Sequence, residues 1–265
     1  MTPTLLGILT LCAYLTSSVL LLKNREQKVI SYTVVYPAWL GLCGHLFFIA
    51  LAVMQTNRFN FSLFSTASMV SALVALLLLL ASLTKPVEKL GIAIFPLAAI
   101  MLGLDMCFPE KLRSLQTYSW EMGTHVLSSV IAFSLLNIAA LQAVLLAIQE
   151  RQLKNHQPKK FILRLPALQT MESLLFQMLA MGLVFLSVSL VSGVAFIDDL
   201  FAQHLAHKTV LSIIAWLIFS ALLLGRLRYG WRGQTAIRWT IAGFILLLLA
   251  YFGSKLVLEI ILQRT

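Results

Sequence analysis

The chain has 265 residues, 60% of them hydrophobic and 11% charged, with a formal net charge of +10. A soluble chain carries about 25% charged residues, so this composition excludes a soluble globular enzyme and describes a polytopic helical membrane protein of mean hydropathy +0.91. The positive balance fits basic loops held on the cytoplasmic side of a bilayer and calls for no nucleic-acid partner.

The first apolar run, Thr4–Leu22, is about long enough to cross the hydrocarbon core. No Lys or Arg precedes it, and Lys23, Arg25 and Lys28 follow. A secretory signal has the opposite polarity, so the run is expected to be a retained helix with its N-terminus outside. Further spans are expected at Val35–Gln55, Ala67–Leu83, Lys89–Leu104, Thr124–Ile148, Glu172–Phe196, Lys208–Gly225 and Ile237–Ile261. The span at Lys89–Leu104 is short and contains Pro96, which should kink it. Eight spans return both termini to the outer, periplasmic side. Loops and helix ends assigned to the inner side then hold 14 of the basic residues, against 6 on the outer side. That is the bias the positive-inside rule expects, and dropping the fourth span would mix the sides. The expected fold is therefore all-α, a single transmembrane domain over residues 1–265 with eight helices.

The loops are short, which leaves no room for a soluble catalytic domain. The outer loop Asp105–Gly123, with Pro109, Tyr118 and Trp120, suits a short helix lying at the interface. HExxH, GxSxG and P-loop motifs are absent, and the chain is expected not to be an enzyme. The cysteines, Cys12, Cys43 and Cys107, form no CxxC or CxxCH, which disfavours covalent haem and a four-thiolate zinc site. Cys12 and Cys43 fall in apolar runs and are expected to be buried free thiols.

Chemistry must then come from polar groups in the helices or at their ends. His156 lies on the basic inner loop, whereas His125, His204 and His207 all come to the outer surface in this topology. His204 and His207 are three apart and share a face if the seventh helix begins early. Taken singly, each could be an ordinary interfacial residue. His45, in GLCGH near the middle of the second span, differs because an ionisable group at bilayer depth is costly. Its bland role is a neutral imidazole hydrogen-bonded to a neighbouring helix. Gly41 and Gly44 beside it allow close backbone approach or room for a flat ligand.

Zinc takes three or four ligands, whereas haem iron takes one or two axial ligands in apolar and aromatic surroundings. A pocket bounded by His125, His207, Trp120, Phe196 and Phe201 suits a non-covalent b-type haem better. His125 and His207 are the expected iron ligands, with His45 as a second or transit haem site and His204 in reserve. Asn137, Gln142 and Gln177 are expected to make interhelical hydrogen bonds, and Lys255 and Glu259 to pair four apart. Asp198 and Asp199 face Lys208 or, through a cation, a haem propionate. The arginines Arg226, Arg228, Arg232 and Arg238, with Trp231 and Trp239, read as an inner interfacial anchor.

Four segments carry a resemblance to a known family: WEMGTHVLSSVIAFSLLNIAALQAVLLAIQ from Trp120, MESLLFQMLAMGLVFLSVSLVSG from Met171, HKTVLSIIAWLIFSALLLGRLRYGWRG from His207 and IAGFILLLLAYFGSKLVLE from Ile241. They resemble the cytochrome c assembly family of haem-handling membrane proteins (the CcsA, CcmC and ResC group), most closely its HemX/YpjD-like branch. The likeness covers residues 120–261; the first hundred residues match mainly in hydropathy. It implies a bacterial inner-membrane protein that binds haem at outward-facing histidines and works with cytochrome maturation proteins, with His125 at the place of the family's outer histidine. Where haem-delivering members have a tryptophan-rich loop, this chain has FIDDLFAQHLAHKT, and the later family histidines give way to residues around Leu224 and Tyr251. The competing reading is a haem-free accessory subunit or small-solute transporter on the same scaffold.

Overall fold

A computed structural model describes residues 3–24, 32–56, 62–84, 87–108, 120–155, 167–196 and 203–253. Its helices fall into two compact units, Met1–Ser114 with Lys159–Pro166 and Leu115–Pro158 with Ala167–Thr265. Among the described residues, eight helices are long and apolar enough to cross a membrane. The fold follows from the solvent: with no water in the hydrocarbon to satisfy backbone N–H and C=O groups, an apolar chain must satisfy them within helices.

The first unit contains α1 (Pro3–Lys23), α2 (Tyr32–Thr56), α3 (Leu63–Ser82) and α4 (Gly91–Cys107), the last entered through a 3₁₀ turn at Glu88–Leu90. Helix α1 packs on α2 and α4, and α3 packs on α4 and α2. Between lipid-embedded helices, small residues and hydrogen bonds supply the attraction that water supplies elsewhere. Gly41 lets the Tyr14 ring lie against the α2 backbone, and Gly44 does the same for Thr10. Ser17 donates to the Val34 carbonyl and Ser18 to the Ile92 carbonyl, each at 3.2 Å, tying α1 to both neighbours. Ser62 caps α3 by accepting the Ser65 N–H at 3.3 Å.

The second unit contains α5 (Trp120–Lys154), α6 (Leu168–Phe196), α7 (Gln203–Tyr229) and α8 (Gly233–Leu248), followed by one π-helical turn at Leu249–Gly253. Helix α6 packs along α5 and touches α7, and α8 packs on α5 and α7. Helices α5 and α7 therefore stand diagonally opposite in a four-helix bundle. At 35 residues α5 is about 52 Å long, well beyond the roughly 30 Å hydrocarbon core.

One end of this bundle is closed by charge. Glu172, buried at the start of α6, accepts from Arg226 Nη1 at 2.7 Å and Arg232 Nε at 3.2 Å, and Arg226 also lies 4.8 Å from the centre of the Phe176 ring. The α7–α8 connection turns on Gly230 (φ +65°) and Gly233 (φ +52°), conformations that glycine adopts without a Cβ penalty. Gly230 N–H donates to the Arg226 carbonyl at 3.2 Å, closing α7. Trp231 folds back onto Gly225 and packs on Trp239.

Several expectations change. Helix α5 starts four residues before Thr124 and runs six beyond Ile148, α7 starts five before Lys208, and α8 starts four before Ile237. Hydropathy marks the lipid-covered part of a helix, whereas the hydrogen-bonded helix continues into polar sequence. The fourth span, short by hydropathy, is completed by the 3₁₀ turn, so that Glu88–Cys107 is long enough to cross. Cys12 and Cys43 are exposed rather than buried, because the helical period turns them away from the packed faces. Gln177 bonds within its own helix, to Ser173 Oγ at 3.3 Å, while Gln142 reaches across from α5 to the Met171 carbonyl at 3.1 Å as expected. Two of the four arginines read as an interfacial anchor, Arg226 and Arg232, grip Glu172 as well. The expected outer loop Asp105–Gly123 is shorter, since Asp105–Cys107 end α4 and Trp120–Gly123 begin α5; its residues 109–119, where the interfacial helix was expected, and Asp198, Asp199, Phe201, Lys255 and Glu259 lie outside the described residues.

Candidate functional site

The site is built at the opposite end of the second unit from Glu172, where α5 begins and α6 ends. His125 stands in the second turn of α5 and is partly exposed. Its Nδ1 lies 2.8 Å from the Ser189 carbonyl on α6 and 3.4 Å from Ser192 Oγ. A carbonyl oxygen only accepts, so Nδ1 carries a proton, and in the neutral ring the lone pair is on Nε2. Among the described residues no hydrogen bond to Nε2 is made. Gly193 makes room for the ring: a Cβ there would sit 3.1 Å from His125 Cε1 and 3.3 Å from Nδ1.

Beneath the imidazole is a layer of hydroxyls. Ser129 donates to the His125 carbonyl at 2.6 Å and its Oγ lies 2.5 Å from Ser189 Oγ. Ser128 donates to the Thr124 carbonyl at 2.8 Å. Tyr251, carried on the π-helical turn, packs its ring 5.0 Å from that of Phe133. A π-turn inserts an extra residue and re-aims the side chains around it.

His207 lies in the second turn of α7 and is exposed. Only residues 197–202 separate α6 from α7, so His207 is at the same end of the bundle as His125, on the diagonal helix. Trp216 Nε1 donates to Ser187 Oγ at 2.8 Å and sets the register of α7 against α6. His207 is nine residues before Trp216, about 13 Å of helical rise, which places it farther out along the bundle than the Ser189–Gly193 segment that holds His125. The early start of α7 puts His204 in the helix as well, three residues from His207 and on the same face. The side chains of His204, Trp120 and Phe196 are outside the described set.

His45 belongs to the first unit and is fully buried. Its Nε2 lies 2.9 Å from Ser68 Oγ on α3 and its Nδ1 lies 3.5 Å from the Tyr14 hydroxyl on α1. Both ring nitrogens are thus occupied, and the space that Gly41 opens is filled by the Tyr14 ring rather than left for a flat ligand.

Among the described residues no three of His, Cys, Asp and Glu come together as a metal site. Sequence reasoning reached His125 but not the groups that orient it. Ser129, Ser189, Ser192 and Gly193 are small residues common in membrane helices, and their only sequence signal is the polar run SVSLVSG set against HVLSS.

Comparison with known proteins adds the lineage. The family model described as "Cytochrome C assembly protein" matches residues 6–262, so the likeness extends through the first unit. Inner membrane protein YpjD of Escherichia coli K12 is 29% identical, over 96% of this chain and 98% of its own. Protein HemX of Brevibacillus brevis is 23% identical over 87% of this chain and 86% of its own. Cytochrome c biogenesis protein CcsA of Chlamydomonas reinhardtii is 26% identical over 69% of this chain and 53% of its own. No solved structure matches. The chain is a member of the cytochrome c assembly protein family.

Proposed function

We propose that the chain is a non-catalytic, multi-pass protein of the bacterial inner membrane that binds a non-covalent b-type haem and handles it in cytochrome c assembly. Both termini and the histidine site face the outer side. One observation carries the reading: the Ser189 carbonyl holds the His125 Nδ1 proton at 2.8 Å and so leaves Nε2 as a lone-pair donor. A hydrogen bond to the far ring nitrogen is the usual device by which proteins orient a ligating histidine and raise its basicity. Gly193 seats the ring and the Ser129–Ser189 hydroxyl pair braces it from below. His207, at the same end of the diagonal helix, supplies the second ligand, with His204 one turn away in reserve.

Haem bound there would supply an iron centre to be carried or passed on. The protein's own residues hold the ligand nitrogen, exclude water from beneath it and present the site at one end of the bundle. Names of relatives, an inner membrane protein and a cytochrome c biogenesis protein, support the location and the setting. The test is haem titration of the purified protein: a saturable Soret band with a low-spin, bis-histidine spectrum is expected, and His207→Ala should convert it to a five-coordinate form. A protein that stays colourless at saturating haem would favour the haem-free accessory subunit or transporter, for which the exposure of His207 is the specific observation.

A further inference from the structure

At the end of the second unit opposite His125, the α7–α8 hairpin holds more positive charge than nearby carboxylates balance. It carries Arg226, Arg228, Arg232 and Arg238, and the carboxylates that meet the hairpin are Glu172 and Glu150. Glu172 is taken by Arg226 and Arg232, while Glu150 accepts from Gln234 Nε2 at 3.0 Å. Arg228 and Arg238 are exposed and, among the described residues, enter no ion pair. We propose that these two arginines hold the phosphate of an anionic phospholipid against the hairpin.

A row of aromatic rings brings the arginine-bearing segments together. The ring centres of Tyr229 and Trp231 are 6.3 Å apart, and those of Trp231 and Trp239 are 5.3 Å apart. Each ring adjoins an arginine in the chain: Arg228 precedes Tyr229, Arg232 follows Trp231 and Arg238 precedes Trp239. The row is held in place at its middle, where Trp231 N–H donates to the Gly225 carbonyl at 3.2 Å and the indole lies on Gly225. Tryptophan and tyrosine gather at headgroup level because their rings are apolar with one polar edge, so the row marks the depth of the lipid phosphates. Arg238 is five residues into α8, about 7.5 Å of rise, and a side chain of its length snorkels back to that level. The planar guanidinium fork matches phosphate oxygens, two bonds at a time.

The acyl chains have a surface as well. Leu217, Leu224 and Arg228 are all exposed, and the helical period puts them within about 40° of one line along α7. From Leu217 to Arg228 that line rises about 16 Å, about half of the roughly 30 Å hydrocarbon core and so the depth of one leaflet. On α8, Arg238 heads an exposed line continued by Ala242 and Ile245. These two helices pack on each other, so two apolar lines run side by side and both end in a guanidinium at the same end of the bundle. A soluble phosphate would use the arginines and leave both lines idle, whereas a phospholipid uses both. Basic groups between membrane helices at this depth are a usual setting for lipid headgroups.

The experiment is native mass spectrometry of the full-length protein titrated with dioleoylphosphatidylglycerol and, in parallel, with dioleoylphosphatidylcholine. The two lipids share their acyl chains and differ in net charge. The first phosphatidylglycerol should bind about 10- to 30-fold more tightly than phosphatidylcholine, since each arginine at an anionic headgroup contributes about fivefold. Arg228→Gln and Arg238→Gln should each lower that preference about fivefold, and the double variant should abolish it. Arg151→Gln combined with Lys154→Gln removes two exposed charges from α5 at the same end of the bundle and should leave the preference unchanged. Millimolar inorganic phosphate should not displace the lipid. Equal affinity for the two lipids would overturn the proposal. So would an equal loss in the Arg151 and Lys154 variant, which would make net charge alone the attraction, or displacement by inorganic phosphate, which would make the ligand a soluble anion.

Discussion

Both units place a histidine among serine hydroxyls, and the two differ in how many ring nitrogens the protein uses. In the first unit His45 is fully buried, with Ser68 on Nε2 and Tyr14 on Nδ1. In the second, His125 is partly exposed and spends only Nδ1, on a backbone carbonyl. A serine hydroxyl can donate or accept, so it leaves the His45 tautomer free to change, whereas a carbonyl fixes the tautomer at His125. The same side chain is thus tied into the helix packing at both nitrogens in one place and at one nitrogen only in the other.

The comparison can be broken most severely at His125. His125→Ala should reduce haem affinity by more than about 100-fold, since losing a group that merely orients a ligand already costs about 10- to 100-fold; haem titration measures it. His45→Ala should do the opposite. It opens a cavity and strands the Ser68 hydroxyl, which together cost about 3 kcal/mol of stability, while the haem stoichiometry of the folded fraction stays unchanged. Equal loss of the Soret band in both variants would erase the distinction between the units.

Glu172→Gln at the far end of the second bundle should lower stability by about 1–3 kcal/mol, less than a fully buried pair because the Arg232 side chain is 55% exposed. Thermal unfolding should register this with the Soret spectrum intact, which separates scaffold from site. Gly193→Ala should act the other way, weakening haem binding by about 3- to 10-fold, about 1 kcal/mol, with little change in melting temperature. The ring must move by a few tenths of an ångström to clear a Cβ 3.1 Å away. Gln177→Leu should change neither by more than about 0.5 kcal/mol, because its hydrogen bond to Ser173 is exposed and local.

The scaffold was legible because hydropathy reports directly on what a helix touches in lipid; among the described residues each of the eight runs is helical, the last as far as Gly253. Helix ends were less so. The expected span from Lys208 left the turn containing His204 and His207 open, helical only if the helix began early as it does, because polar residues at an interface do not lower hydropathy any differently when they are helical. At the sites, sequence could name the rare residue and not its partners. His45 and His125 stand out as ionisable groups beside long apolar runs. Ser68, Ser189 and Gly193 are common in membrane helices, and only packing shows which serine faces an imidazole. The packing of Tyr251 on Phe133 was further hidden, since a π-turn shifts the helical register that any face assignment assumes.

Imidazole rescue tests the central claim most directly. His125→Gly removes the ring and leaves a gap against Gly193, and the purified variant should lose the Soret band on haem titration. Millimolar free imidazole should restore the wild-type spectrum by supplying the missing nitrogen. An intact band in His125→Gly without imidazole would show that the iron is held elsewhere and contradict the account.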